Sequence, residues 1–157
     1  MVNPAFVKQC IHWSKRRNAY HMARILGIDY GTKRVGIATT DPLQIISSAL
    51  TTVATKDVFT FLEKYISEEE VECIVVGEPL HLDGTPAQIA HLVVGFVRKL
   101  KESYPTIKIA MQDERYTSKE AQAIILKSGA KKKKRQDKSL IDKVSAALIL
   151  QAYMEKQ

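Results

Sequence analysis

The run Ile25-Leu26-Gly27-Ile28-Asp29-Tyr30-Gly31-Thr32-Lys33-Arg34-Val35-Gly36-Ile37-Ala38 restricts the possible folds more than any other part of the chain. It reads as a buried strand, a turn and a second strand, with 24–28 the kind of short apolar segment that fills a sheet centre. Gly31 and Gly36 bracket the reversal, where residues without a Cβ tolerate positive φ and close backbone approach. Asp29 breaks the pattern. A carboxylate that ends a buried strand is costly unless a cation, a metal or backbone N–H groups satisfy it. Asp29 is therefore the first half of an expected active site, with an Asx bond over Gly31 and Thr32 as the purely structural alternative.

The remaining chain supplies a layered α/β pattern. Asp41-Pro42 marks a turn, and residues 45–53 resume as a third strand rich in Thr and Ile. Within 55–70, Val58, Phe59, Leu62, Tyr65 and Ile66 recur at helical spacing. Residues 71–76 form a fourth strand, apolar enough for burial on both faces. Thr85 as N-cap, Pro86 at the first helical position and Gln88 as capping-box partner predict a helix to about Ser103. Residues 107–112 read as a fifth strand. Thr117-Ser118-Lys119-Glu120 repeats the capping box and opens a helix ending near Gly129. A charge run at 131–135, read as a solvated loop, precedes a last helix over about 139–155. Short turns between the first three strands, then alternating helix and strand, specify an α/β fold. Its five-stranded mixed sheet is antiparallel over three strands and parallel over the last two, flanked by helices.

At 157 residues one domain is expected. Residues 1–21 form a basic extension with Lys15-Arg16-Arg17, a tail or a short helix through Phe6, Cys10 and Trp13, and 22–157 form the domain proper. Met22 is itself a natural first residue. Cys10 and Cys73 make neither a disulfide framework nor a metal-ligand pair, so a reducing cytoplasm is expected. No stretch approaches the ~18–20 apolar residues of a membrane span. The net charge of +7 favours a polyanionic partner.

Ligands of parallel sheets gather outside the carboxyl ends of the strands. Asp29 lies there, Gly77-Glu78-Pro79 follows the fourth strand, Asp113-Glu114-Arg115 follows the fifth, and the last helix carries Asp142 beside the small residues Ser145 and Ala146. Convergent carboxylates repel, and a pair of Mg²⁺ or Mn²⁺ ions resolves the repulsion because hard cations take oxygen ligands. Two such ions activate water and stabilise the leaving oxygen in phosphodiester hydrolysis. Lys33, Arg34, Arg115 and the run Lys131, Lys132, Lys133, Lys134 and Arg135 would hold the phosphate backbone. Strand alternation separates Asp113 from Glu114, so at most one of them enters the site while the other pairs with Arg115. Asp142 is equally consistent with a capping box begun by Ser139. Glu78 reads as loop decoration, and His81 and His91 have no partner at metal spacing.

Four motifs in order, the first strand-turn-strand, Val75-Val76-Gly77-Glu78-Pro79-Leu80 with Asp83-Gly84, Asp113-Glu114-Arg115-Tyr116-Thr117-Ser118, and 141–150 around Asp142, resemble those of the YqgF/RuvX family. The resemblance covers roughly 22–155. It implies an RNase H-like fold related to the RuvC Holliday junction resolvases. It also implies a cytoplasmic divalent-metal nuclease for the 5′ end of precursor 16S rRNA, with Holliday junction resolution as the earlier proposal. Monomer and homodimer both stay open, since a junction resolvase needs two sites and an rRNA trimming enzyme can act alone. By position, Asp29, Glu114 and Asp142 correspond to the catalytic carboxylates, with Asp113 the rival of Glu114 as metal ligand. Glu78 departs from the apolar or small residue usual at that place. Two rivals are weighed: an actin-like ATP phosphotransferase, whose first phosphate loop Gly-Ile-Asp-Tyr-Gly-Thr resembles, and a non-catalytic RNA-binding module of the same fold. The first lacks a second Gly-rich loop here, and the presence of all three carboxylates argues against the second.

Overall fold

The computed structural model describes residues 23–157 apart from Leu82 and Tyr116, so the extension expected at 1–21 lies outside the described residues. Strands β1 (Arg24–Tyr30), β2 (Arg34–Thr40) and β3 (Ser47–Ala54) form an antiparallel meander. A 3-10 turn leads into α1 (Val58–Glu68), then β4 (Val71–Glu78), α2 (Ala90–Ser103) and β5 (Lys108–Asp113). Helices α3 (Thr117–Lys127), α4 (Lys132–Arg135) and α5 (Lys138–Met154) complete the described chain. The sheet order is β3-β2-β1-β4-β5, with β4 parallel to both β1 and β5, which is the mixed sheet expected from the sequence. No helix among the described residues is long and apolar enough to cross a membrane.

Period-2 alternation divides the core between the two faces of the sheet. Leu26, Ile28, Val35, Ile37, Ile74 and Val76 point to α1 and α2, where Leu62, Phe96 and Leu100 close over them. Ile25, Ala38, Cys73 and Val75 point the other way, to Ala146, Ile149 and Leu150 of α5. Gly36 lies on this second face. A Cβ there would overlap the backbone carbonyl of Asp142, so the glycine lets the first turns of α5 rest directly on β2. Of the two uses expected for Gly31 and Gly36, close approach is the one found, and positive φ is not: the glycines at positive φ are Gly84 and Gly129.

Three local expectations change. Thr85 does not cap a helix; its N–H and hydroxyl both donate to Asp83 Oδ1, at 2.9 and 2.7 Å, and the helix starts four residues after Pro86, at Ala90. An Asx turn has outcompeted the capping box. The cap of α5 is Asp137, which accepts from Ser139 N at 2.9 Å, so Ser139 is not the cap and Asp142 is released from the capping box considered for it. The charge run read as a loop forms the single turn α4, with all its residues exposed.

Candidate active site

Three elements bring acidic side chains to the α5 face at the carboxyl ends of the parallel strands. Asp29 shares the parity of Ile25 along β1 and reaches this face near Asp142. Ala110 packs on the same face, Gln112 follows with its Oε1 accepting from Lys156 of the C-terminal segment at 3.1 Å, and Glu114 continues the alternation just beyond β5. Its backbone is pinned on both sides: Glu114 N donates to Glu78 O at 3.3 Å, and Glu114 O accepts from Thr117 N at 3.1 Å. Gly77 makes room for the side chain, since a Cβ at that position would overlap Glu114 Oε2. Sequence reasoning did not assign Gly77 this role, although a glycine interrupting the apolar run of β4 signals a close approach.

Asp29 and Glu114 meet through a side-chain hydrogen bond. Burial, followed by the nearby Asp142 charge, pushes Asp29 up to about 7, against which the bond from Glu114 acts. Burial, the Asp29 charge and the bond to Asp29 push Glu114 up to about 8. The pair therefore holds a proton at neutral pH, with Glu114 donating to Asp29. Two partly buried carboxylates sharing a proton form a place where positive charge is missing.

The other two acids are differently placed. Asp113, of opposite parity, turns to Arg115, which donates to it from Nε at 2.8 Å and from its backbone N at 2.9 Å; the guanidinium holds the carboxyl below its ordinary range. Asp142 accepts from Arg34 Nε at 2.7 Å. Arg34 has the parity of Gly36 along β2, so it emerges beneath the first turns of α5. The alternation was readable, but the pairing of two residues 108 positions apart was not. The expected three-carboxylate convergence is thus reached by two side chains, with the third within electrostatic reach and neutralised by a protein cation. Among the described residues no group of three or more His, Cys, Asp or Glu side chains is arranged to hold a metal ion. The chemistry of the Asp29–Glu114 pair nevertheless fits a hard divalent cation, which would replace the shared proton, and Asp142 would join by giving up Arg34.

Among the cations named from the sequence, Lys33 is exposed in the β1–β2 turn, which is braced by Thr55 Oγ1 donating to Gly31 O at 2.7 Å. Lys131 precedes α4, and Lys132, Lys133, Lys134 and Arg135 form it, beyond the end of α3 and away from the acid pair in sequence. His91 Nδ1 contacts Gln88 O at 2.8 Å and His81 lies exposed in a loop, neither in the acid cluster.

The family model described as "RuvX: Holliday junction resolvase" matches residues 23–156. A protein of Flavobacterium psychrophilum named "Putative pre-16S rRNA nuclease" is 46% identical over 136 residues, 87% of this chain and 99% of the relative. One of the same name from Christiangramia forsetii is 47% identical over 133 residues, 85% of this chain and 98% of the relative. Among solved structures, YeaZ from Pseudomonas aeruginosa aligns at a TM-score of 0.38 and 16% identity over 69% of this chain and 50% of that one, too distant to bear on function. With nearly all of its described residues matched, and with a five-stranded mixed sheet flanked by helices in the RNase H-like manner, the chain belongs to the RuvX family.

Proposed function

We propose that this protein is a divalent-metal-dependent endonuclease that hydrolyses phosphodiester bonds in the 5′-end maturation of precursor 16S rRNA. The observation that carries the reading is the Asp29–Glu114 pair, two partly buried carboxyls joined by a side-chain hydrogen bond with Asp142 nearby, a donor set that suits a hard divalent cation. The names borne by relatives over almost their full length supply the substrate class.

Asp29, Glu114 and Asp142 would hold Mg²⁺ or Mn²⁺, which when bound supplies activation of water and stabilisation of the leaving oxygen. Asp29 lies in β1, and Glu114 lies just beyond β5 with its backbone held by Glu78 O and Thr117 N, so both carboxylates are presented by hydrogen-bonded backbone. Arg34, next to Asp142, lies where a phosphate could compete for its guanidinium. Lys33, Arg115 and the 131–135 segment provide backbone contacts that carry no base preference. Action as a monomer or homodimer in the cytoplasm completes the reading.

The test is cleavage of a precursor 16S rRNA fragment with Mg²⁺ or Mn²⁺. Asp29→Asn and Glu114→Gln are each expected to lower kcat by roughly 100-fold or more, the scale of losing one positioned catalytic group. Parental rates in both variants would show that the chemistry lies elsewhere. The description of the family model favours a second reading, resolution of branched DNA. Parallel assays on a four-way DNA junction decide between them: preferential cutting of the junction by the parent, lost in Asp29→Asn, would move the substrate from RNA to DNA.

A further inference from the structure

Beside the acid pair lies a cleft that shares Glu114 and Arg115 with the chemistry proposed above and whose other lining residues that chemistry leaves unused. Its volume is about 310 Å³, at the small end of protein ligand clefts. One wall is apolar, made by Pro79, Leu80 and Ala87 from the loop after β4. The other is polar and cationic, made by Arg115, Ser118 and Lys119 where α3 begins. Glu114 also lines the cleft, so the cleft and the acid pair share one carboxylate.

Both walls are built before any ligand arrives. Leu80 bridges Pro86 in antiparallel fashion, Ala87 N donates to Pro79 O at 2.9 Å, and His81 N donates to Thr85 O at 2.7 Å. This is the loop that replaced the expected first turn of α2, and its hydrogen bonds hold the apolar wall upright. Opposite, Asp113 Oδ2 accepts from Arg115 Nε at 2.8 Å and from Nη2 at 2.6 Å, which fixes the direction of the guanidinium. A preformed cleft loses little conformational freedom on binding.

An apolar lining beside Lys119 and the Asp113-paired Arg115 suits a ligand with a flat apolar body and an anionic end. A nucleotide has this form, and whatever occupies the cleft abuts Glu114. We infer that the cleft is a subsite for one unpaired nucleotide adjoining the scissile phosphate, its base against Leu80 and Ala87 and its phosphate toward Arg115 and Lys119. The inference rests on the nuclease reading. On this assignment the strand enters single or with this nucleotide turned out of its helix.

The first test titrates uridine 5′-monophosphate into the full isotope-labelled chain in EDTA, so that no metal bridges phosphate to carboxylate. Saturable amide shifts at Leu80, Ala87 and Ser118 are expected; shifts confined to other surfaces overturn the subsite. Ala87→Trp fills the cleft from a partly exposed position and is expected to weaken binding by about tenfold or more. Unchanged affinity in a variant with native circular dichroism overturns the assignment. Should Ala87→Trp not fold, the exposed Lys119→Ala takes its place: it is expected to abolish the preference for the monophosphate over uridine, and a retained preference counts against the proposal. The second test compares RNA strands carrying an abasic residue at each position around the cut. One flanking position is expected to raise KM by about tenfold with kcat nearly unchanged, the mark of lost ground-state binding. Equal KM at every position removes the subsite and leaves the nuclease reading intact. Monophosphate binding in the cleft by a protein that cuts neither RNA nor DNA sinks the nuclease reading and keeps a nucleotide site.

Discussion

Asp113 and Glu114 are adjacent and chemically alike, yet parity along β5 sends one to Arg115 and the other to Asp29. The consequence is a titration that the fold must bear. In the native chain Asp29 and Glu114 hold protons up to about 7 and about 8. In the unfolded chain they release them near pH ~4. Between those limits the native state binds more protons than the unfolded state, so stability falls as pH rises. The lowered carboxyls of Asp41, Asp83 and Asp113 act below this window and the raised thiol of Cys73 above it. The Tm of the protein in EDTA is therefore expected to drop between about pH 5 and pH 8. Asp29→Asn should flatten that drop, and Mn²⁺ at pH 8 should reverse it by binding the native state alone. A Tm that rises across the same window in calorimetry would contradict the pair.

At the scale of elements, the site depends on how closely α5 lies on the sheet. Helix residues Ser145 and Ala146 are fully buried and small, and Gly36 opposite has no side chain to hold the helix off. Gly36→Ala sets a methyl group against the backbone of Asp142, which a helix packed along its length cannot yield locally. A loss of about 3 kcal/mol in urea unfolding is expected, the upper end of what overpacking costs, together with weaker cleavage because Asp142 is displaced. Wild-type stability in this variant would mean that α5 does not rest on β2 as described. The helix itself was legible from its stripe of small and apolar residues. Its cap was not, because Ser139 and Asp137 both carry oxygens suited to capping, and the structure uses Asp137, which accepts from Ser139 N.

For the whole molecule, the net charge of +7 includes one dense run of cations around α4. Residues 131–138 are all exposed, and among them only Gln136 and Asp137 lack a positive charge. If this segment tracks a nucleic-acid backbone, replacing Lys131 to Arg135 by Gln is expected to weaken binding and reduce the salt slope by about 0.7 for each single-strand phosphate that is no longer neutralised. Fluorescence anisotropy between about 50 and 200 mM salt measures it. An identical slope in parent and variant would identify the segment as solvated surface only.

Sequence alone determined the order of strands and helices, the mixed direction of the sheet and the placing of acids at strand ends, because periodicity and turn chemistry act over a few residues. Tertiary packing alone decided which charge meets which: Arg34 takes Asp142 across 108 positions, and Gly77 opens the space that Glu114 fills. Such choices depend on distances through space, which exist only after the sheet has closed against α5.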